Sequence, residues 1–286
     1  MPSTLIEPQE LFGHLDDADW AIIDCRFELA RPAWGAGAFA AGHIPNAQYA
    51  DLDGDLSGPA GARTGRHPLP SSAELAATFG RLGIDGAVQV VAYDQGSGVF
   101  AARLWWLLRW LGHERAAVLN GGLAAWERAK LPLSTRAVSR PVRRFVPQAN
   151  AGMHVSSDEV AALVASGALK RGETRLIDAR AADRFAGENE TLDAVGGHVP
   201  GALNHPYADN LGPDGRFLEV RELHQRWQHT LAGQGAGHAI AMCGSGVSAC
   251  HNLLALEVAG LPGARLYAGS WSEWIRDPAH AIARGP

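Results

Sequence analysis

HAIAMCGSGVSACH, residues 238–251, runs from an apolar stretch into a loop of small residues and then into a helix. Ala239, Ile240, Ala241 and Met242 have the length and apolarity of a buried strand. Cys250, Leu253, Leu254, Val258 and Leu261 follow at i, i+3, i+4, i+8 and i+11, the apolar face of a helix. Strand, Gly-rich turn and helix in immediate succession form the unit of an α/β protein, a mainly parallel sheet flanked by helices. Cys243 falls at the junction. The backbone N–H groups of Gly244, Ser245, Gly246, Val247 and Ser248 can curl around its sulfur, with the positive end of the helix dipole behind them. Such a place favours a thiolate, the nucleophilic form of cysteine. A lone cysteine in an apolar strand is ordinarily inert packing. The glycines argue otherwise here, because backbone that approaches an anion needs them and a packed thiol does not.

Outward from this stretch the chain repeats itself. RLIDAR at 175–180 matches WAIIDCR at 20–26, GHVPGA at 197–202 matches GHIPNA at 42–47, GSGV at 244–247 matches GSGV at 96–99, and Trp274 matches Trp126. From the first Gly of GSGV to that Trp the interval is 30 residues in both halves. Two tandem copies of one α/β fold are expected, at 1–133 and 152–286. Residues 134–151, rich in Ser, Arg and Pro with little apolar period, read as the linker. At the strand end where the second copy has Cys243, the first has Asp94, which cannot act as a sulfur nucleophile. The first copy is therefore read as catalytically degenerate, structural in service or a lender of side chains to the site. Within it, Glu7–Leu15 predicts a helix, Trp20–Cys25 and Val88–Tyr93 predict strands, and Ser71 with Glu74 predicts a capping box that opens a helix to Leu82.

The composition narrows the classes of function. Hydrophobic residues make up 47% of 286 and charged residues 19%, as in a globular protein of two domains. No run approaches the ~18 apolar residues of a membrane span, and MPSTLIEPQELF lacks the regions of a secretion signal, which predicts a cytoplasmic protein. Cys25, Cys243 and Cys250 form no CxxC pair and suit a reducing compartment. Twelve histidines without metal-ligand spacing argue against a metal site, and a net charge of −5 gives no electrostatic case for nucleic acid. Cys250, on the apolar helix face, and Cys25, at a strand end, read as structural. His43 and His198 recur in both GH[IV]P segments, which points to a shared turn rather than to catalysis.

With both GH[IV]P segments, the closing LYAGSWSEW at 266–274 and a loop cysteine in the second copy alone, nearly the whole chain resembles the rhodanese (sulfurtransferase) family in its tandem form. Within that family CGSGV at 243–247 resembles the loop of the branch that uses 3-mercaptopyruvate. The resemblance implies a sulfurtransferase without metal or cofactor. In it Cys243 takes a sulfur atom from a small-molecule donor, 3-mercaptopyruvate or thiosulfate, to become a persulfide. The persulfide then passes its sulfur to a thiol, cyanide or a thioredoxin-like dithiol protein. It further implies that Arg184 binds the donor carboxylate, as a planar guanidinium can do bidentately, and that His67 helps to polarise the site. Ser245, Ser248 and the loop N–H groups of Gly244, Gly246 and Val247 would steady negative charge on sulfur. Two features depart from the family pattern. The mercaptopyruvate branch usually has a second arginine about nine residues beyond the first, where this chain has Asp193; and the acidic partner of His67 is not aligned, Asp55 and Ser57 lying nearest. Three rivals remain in view: a cysteine phosphatase, which Ala249 disfavours by standing where a loop-closing arginine would be, a non-catalytic sulfur carrier or sensor, and a thiosulfate:cyanide sulfurtransferase.

Overall fold

A computed structural model describes residues 3–285, so the first two residues of the amino-terminal stretch and Pro286 lie outside it. The chain forms two units. The first holds residues up to Gly58, Leu69–Asn150 and Gly212–Phe217; the second holds Pro59–Pro68, Ala151–Leu211 and the residues from Leu218 on.

In the first unit the elements are β1 (Leu5–Ile6), α1 (Pro8–Phe12), β2 (Trp20–Asp24), α2 (Trp34–Ala41), β3 (Gln48–Tyr49), α3 (Ser72–Arg81), β4 (Gln89–Tyr93), α4 (Val99–Trp110), β5 (Ala116–Leu119) and α5 (Gly122–Arg128). The second has β6 (His154–Val155), α6 (Ser157–Ser166), β7 (Arg175–Asp178), α7 (Ala182–Ala186), β8 (Leu203–Asn204), α8 (Val220–Thr230), β9 (Ala239–Met242), α9 (Ser248–Val258), β10 (Arg265–Tyr267) and α10 (Ser270–Trp274). Sheet order is β1-β5-β4-β2-β3 in one and β6-β10-β9-β7-β8 in the other, the same winding twice. Every strand pair is parallel. Strands β2, β4 and β9 are buried along their whole length, which explains why they read as unbroken apolar runs rather than as alternations. The first core gathers Ile22, Val91, Tyr93 and Trp126; the second gathers Ile240, Met242, Trp271 and Trp274.

The repeat extends to buried polar detail. Arg26 forks onto Asp24 and donates to the Gly42 carbonyl at 2.7 Å; Arg180 forks onto Asp178 and donates to the Gly197 carbonyl at 2.7 Å. His43 stacks on Phe39 at 4.0 Å and His198 on Phe185 at 3.8 Å, each histidine forming an antiparallel bridge, to Ser134 and to Ala283. These histidines hold turns in both units. Capping boxes also recur: Ser71 with Glu74 opens α3, and Ser156 with Glu159 opens α6.

The structure departs from the expected boundaries in three places, one of them Gly212–Phe217, which comes from the second half of the sequence and belongs to the first unit. Residues 134–150 do not hang free as a linker but lie along the first unit: Ser134 bridges His43, Arg143 N–H donates to Gly80 O at 3.0 Å, Phe145 packs on Phe79 at 5.1 Å, and Gln148 N–H donates to Leu111 O at 2.9 Å. Low apolar periodicity marked this stretch as irregular, yet one buried phenylalanine and a few backbone bonds suffice to lay it down. Residues 59–68 come from the first half of the sequence and pack within the second unit, carrying His67 with them.

Replacing Ser156 by Ala removes the acceptor for the Glu159 N–H and leaves the first turn of α6 one bond short. The expected loss is about 1 kcal/mol of unfolding free energy, read as a lower urea midpoint with unchanged slope, and Ser156→Asp should restore most of it.

Candidate active site

Strand β9 ends at Met242, so Cys243 stands at the carboxyl end of an interior strand, where open α/β sheets hold ligands. The first turn of α10 clamps this end. Cys243 N–H donates to Ser270 Oγ at 3.0 Å, Trp271 N–H to the Cys243 carbonyl at 3.0 Å, and Ser272 N–H to the Gly244 carbonyl at 2.9 Å. Ser270 is buried in a left-handed conformation, φ 55°, and its hydroxyl donates onward to Tyr267 O at 2.8 Å. Gly246, at φ 78°, brings its N–H to 3.1 Å from Cys243 Sγ. A Cβ at that position would meet the Ala268 carbonyl oxygen at 2.2 Å, so only glycine fits. Val247 is buried as the residue before α9, and Ser248, partly exposed, opens that helix.

The sheets identify the counterpart of Cys243. Asp24 pairs with Tyr93 in the first unit as Asp178 pairs with Met242 in the second, which makes Asp94 and Cys243 equivalent. The letters GSGV therefore sit one residue later in the first loop, after Gln95. There the loop amides close on the carboxylate: Gly96 and Gly98 N–H donate to Asp94 Oδ1, both at 2.9 Å, and Phe100 N–H donates to Oδ2 at 3.0 Å. In both units loop N–H groups point at the residue that follows the strand, three of them onto Asp94 and that of Gly246 onto Cys243 Sγ.

Cys250 is fully buried and its thiol donates to the Gly246 carbonyl at 3.3 Å, a brace beneath the loop. Cys25 is buried in the other unit, where desolvation and then the Asp24 and Asp94 charges push its thiol pKa well up.

His67 and Ser245 meet: Nδ1 and Oγ are 2.7 Å apart and both residues are buried. Asp55, the nearest acid upstream, accepts from the Asp51 N–H at 3.0 Å and from Arg81, and it stays with the first unit.

Three arginines crowd Gly244. A Cβ built there would lie 2.8 Å from Arg66 Nη2, 3.7 Å from Arg184 Nη2 and 4.0 Å from Arg180 Cδ. Arg180 belongs to the scaffold, buried over the Trp271 ring at 4.8 Å and tied to Asp178, as Arg26 is tied to Asp24. The other two reach solvent, at 26% exposure for the Arg66 side chain and 20% for that of Arg184. Arg184 forks onto Glu190, with Nη2–Oε1 at 2.8 Å, and Arg66 binds Asp193. Burial pushes the Glu190 carboxyl up, but the Arg184 hydrogen bonds and the N–H groups of Leu192 and Asp193 outweigh it and leave the group below the usual carboxylate range. At Asp193 burial wins over Arg66 and holds the carboxyl above that range. Sequence reasoning assigned no part to Arg66, Glu190 or Ser270. A signal for Arg66 existed, since it immediately precedes His67.

Residues 7–129 and 157–277 each match the Rhodanese-like domain model, and the chain belongs to that family. It is 47% identical over 283 residues to the Pseudomonas aeruginosa protein named "Probable 3-mercaptopyruvate sulfurtransferase", covering 98% of each chain. It is 39% identical over 285 residues to the Mycobacterium tuberculosis protein named "Putative thiosulfate sulfurtransferase SseB", covering 98% of this chain and 97% of that one. The structure of 3-mercaptopyruvate sulfurtransferase from Leishmania major superposes with a TM-score of 0.83 at 33% identity, over 95% of this chain and 74% of that one.

Ser270→Ala leaves the Cys243 N–H buried without its acceptor. The expected cost is about 1–3 kcal/mol of stability, seen as a lower denaturation midpoint. An unchanged midpoint would show that this bond does not hold the loop.

Proposed function

We propose that this protein is a sulfurtransferase that takes sulfur from 3-mercaptopyruvate onto Cys243. The observation that carries the reading is a sulfur at a strand end with a backbone N–H on it, beside two solvent-reaching arginines that converge on the next residue. The Cys243 thiolate attacks the donor sulfur, the donor's C–S bond breaks, and its electron pair goes to carbon as the enolate of pyruvate, which takes up a proton. The product is a Cys243 persulfide. Ser245, oriented by His67, together with Ser248 and the loop N–H groups, steadies negative charge on the transferred sulfur. A thiolate, cyanide or a protein dithiol then attacks the outer sulfur and regenerates the Cys243 thiolate. Arg184 takes the donor carboxylate. No described helix is long and apolar enough to cross a membrane, and the three cysteines are free, so we assign the reaction to the reducing cytoplasm.

Thiosulfate is the second reading, supported by the arginine cluster and by the name of the mycobacterial relative. The ratio of kcat/KM for the two donors decides between them. A carrier without turnover would release at most one equivalent of pyruvate when given 3-mercaptopyruvate and a thiol.

Cys243→Ser should fold normally, gain no sulfur by intact-protein mass spectrometry after exposure to donor, and lose sulfur transfer; substantial residual turnover would refute the nucleophile. Arg184→Ala should raise KM for 3-mercaptopyruvate about 10-fold or more, from a lost charged hydrogen bond of about 1.5–3 kcal/mol, while turnover with an uncharged organic trisulfide changes little.

A further inference from the structure

We propose that Arg66 and Arg184 together form a carboxylate site beside Cys243, and that Asp193 is an internal carboxylate seated in it which an incoming donor must displace. The proposal rests on the reading of the donor as a carboxylate and adds how the chain itself occupies that place.

The two acids around these arginines are held in different ways. Glu190 is fully engaged, accepting from Arg184 and from the N–H groups of Leu192 at 2.9 Å and Asp193 at 3.1 Å. It is a fixed partner that orients Arg184. Asp193 bridges the pair: Oδ1 binds Arg66, while Oδ2 lies 3.5 Å from Arg184 Nη2. That second oxygen is buried and accepts no hydrogen bond among the described residues, though the side chain is only 5% exposed. A carboxylate spanning two guanidiniums with one oxygen unsatisfied is a poor ligand in a good site. A free carboxylate, not tethered by a backbone, can bond through both oxygens.

Charge points the same way. With Asp193 seated, Arg66 and Arg184 are balanced by Glu190 and Asp193, and the four groups sum to zero. Swung out, Asp193 leaves one positive charge uncompensated, which suits a monoanionic donor. Asp193 lies in a stretch between α7 and β8 with neither helix nor strand at 187–196, so its side chain can turn outward without breaking a regular element, while the Leu192 and Asp193 N–H groups keep Glu190 on Arg184. Binding through a state from which Asp193 has withdrawn costs affinity in proportion to the rarity of that state.

The test reads binding without turnover. Pyruvate and, separately, thiosulfate are titrated by calorimetry into Cys243→Ser protein and into the same protein carrying Asp193→Asn, Arg66→Ala or both, with uncharged hydroxyacetone as the control ligand. Asp193→Asn should tighten pyruvate about 3–10-fold, Arg66→Ala should weaken it at least 10-fold, and the gain from Asp193→Asn should vanish when Arg66 is absent. Hydroxyacetone should respond to none of these changes. Circular dichroism melts confirm that each variant folds, and Arg66→Lys replaces Arg66→Ala should the latter not. Pyruvate binding that is unmoved by Asp193→Asn, or as tight without Arg66, overturns the proposal. Thiosulfate binding with no pyruvate binding in any of the four proteins overturns instead the donor reading on which it rests.

Discussion

The contact between Gly246 and the Ala268 carbonyl is the constraint on which the site depends. No side chain fits between them, and the left-handed backbone at Gly246 turns its N–H onto Cys243 Sγ. The first turn of α10 completes the arrangement by fixing both the N–H and the carbonyl of Cys243. The sulfur thereby takes one backbone donor, the Gly246 N–H, while α10 holds the N–H and carbonyl of its residue. A backbone donor set is already oriented before charge develops, which is what makes such a loop useful to an anionic nucleophile.

The first unit shows what that loop does around a carboxyl group, Asp94, whose pKa burial pushes up against the loop N–H groups that favour its charged form. Sheet order, buried Asp–Arg pairs, stacked histidine turns and capping boxes are shared, yet the loop amides there close on the carboxylate of Asp94. The residue after the strand, Asp94 or Cys243, and the one-residue offset of GSGV behind it separate the two loops. A carboxylate with three N–H donors is a finished structural knot, whereas a thiolate sulfur retains a lone pair for attack on an external partner. The same architecture thus presents a carboxyl group at this strand end in one copy and a thiol in the other.

Electrostatics around Gly244 is settled by pairing rather than by a surplus of charge. Arg180 is consumed by the scaffold, Arg184 is aligned by Glu190, and Arg66 is joined to Asp193 across 127 residues of sequence. The buried Arg180 guanidinium without its Asp178 partner would be strongly destabilising. Glu190 and Asp193 supply that compensation for Arg184 and Arg66.

Local signals determined much of this protein from sequence alone. The apolar run before Cys243, the glycines after it, the Ser71–Glu74 cap and the matched motifs of the two halves all depend on neighbours within a turn or a strand, and the structure places strands, helices and the cap accordingly. GSGV misled by one residue, because a letter match ignores where the strand ends and only the pairing of Asp24 with Tyr93 and Asp178 with Met242 sets the register. What the tertiary structure alone decided is long-range: that 59–68 packs with the second unit and brings His67 to Ser245, that 134–150 lies along the first, and that Arg66 and Asp193 meet beside Gly244. Those pairings join residues with no shared periodicity, and their energy comes from burial and charge compensation that exist only once the chain has closed on itself.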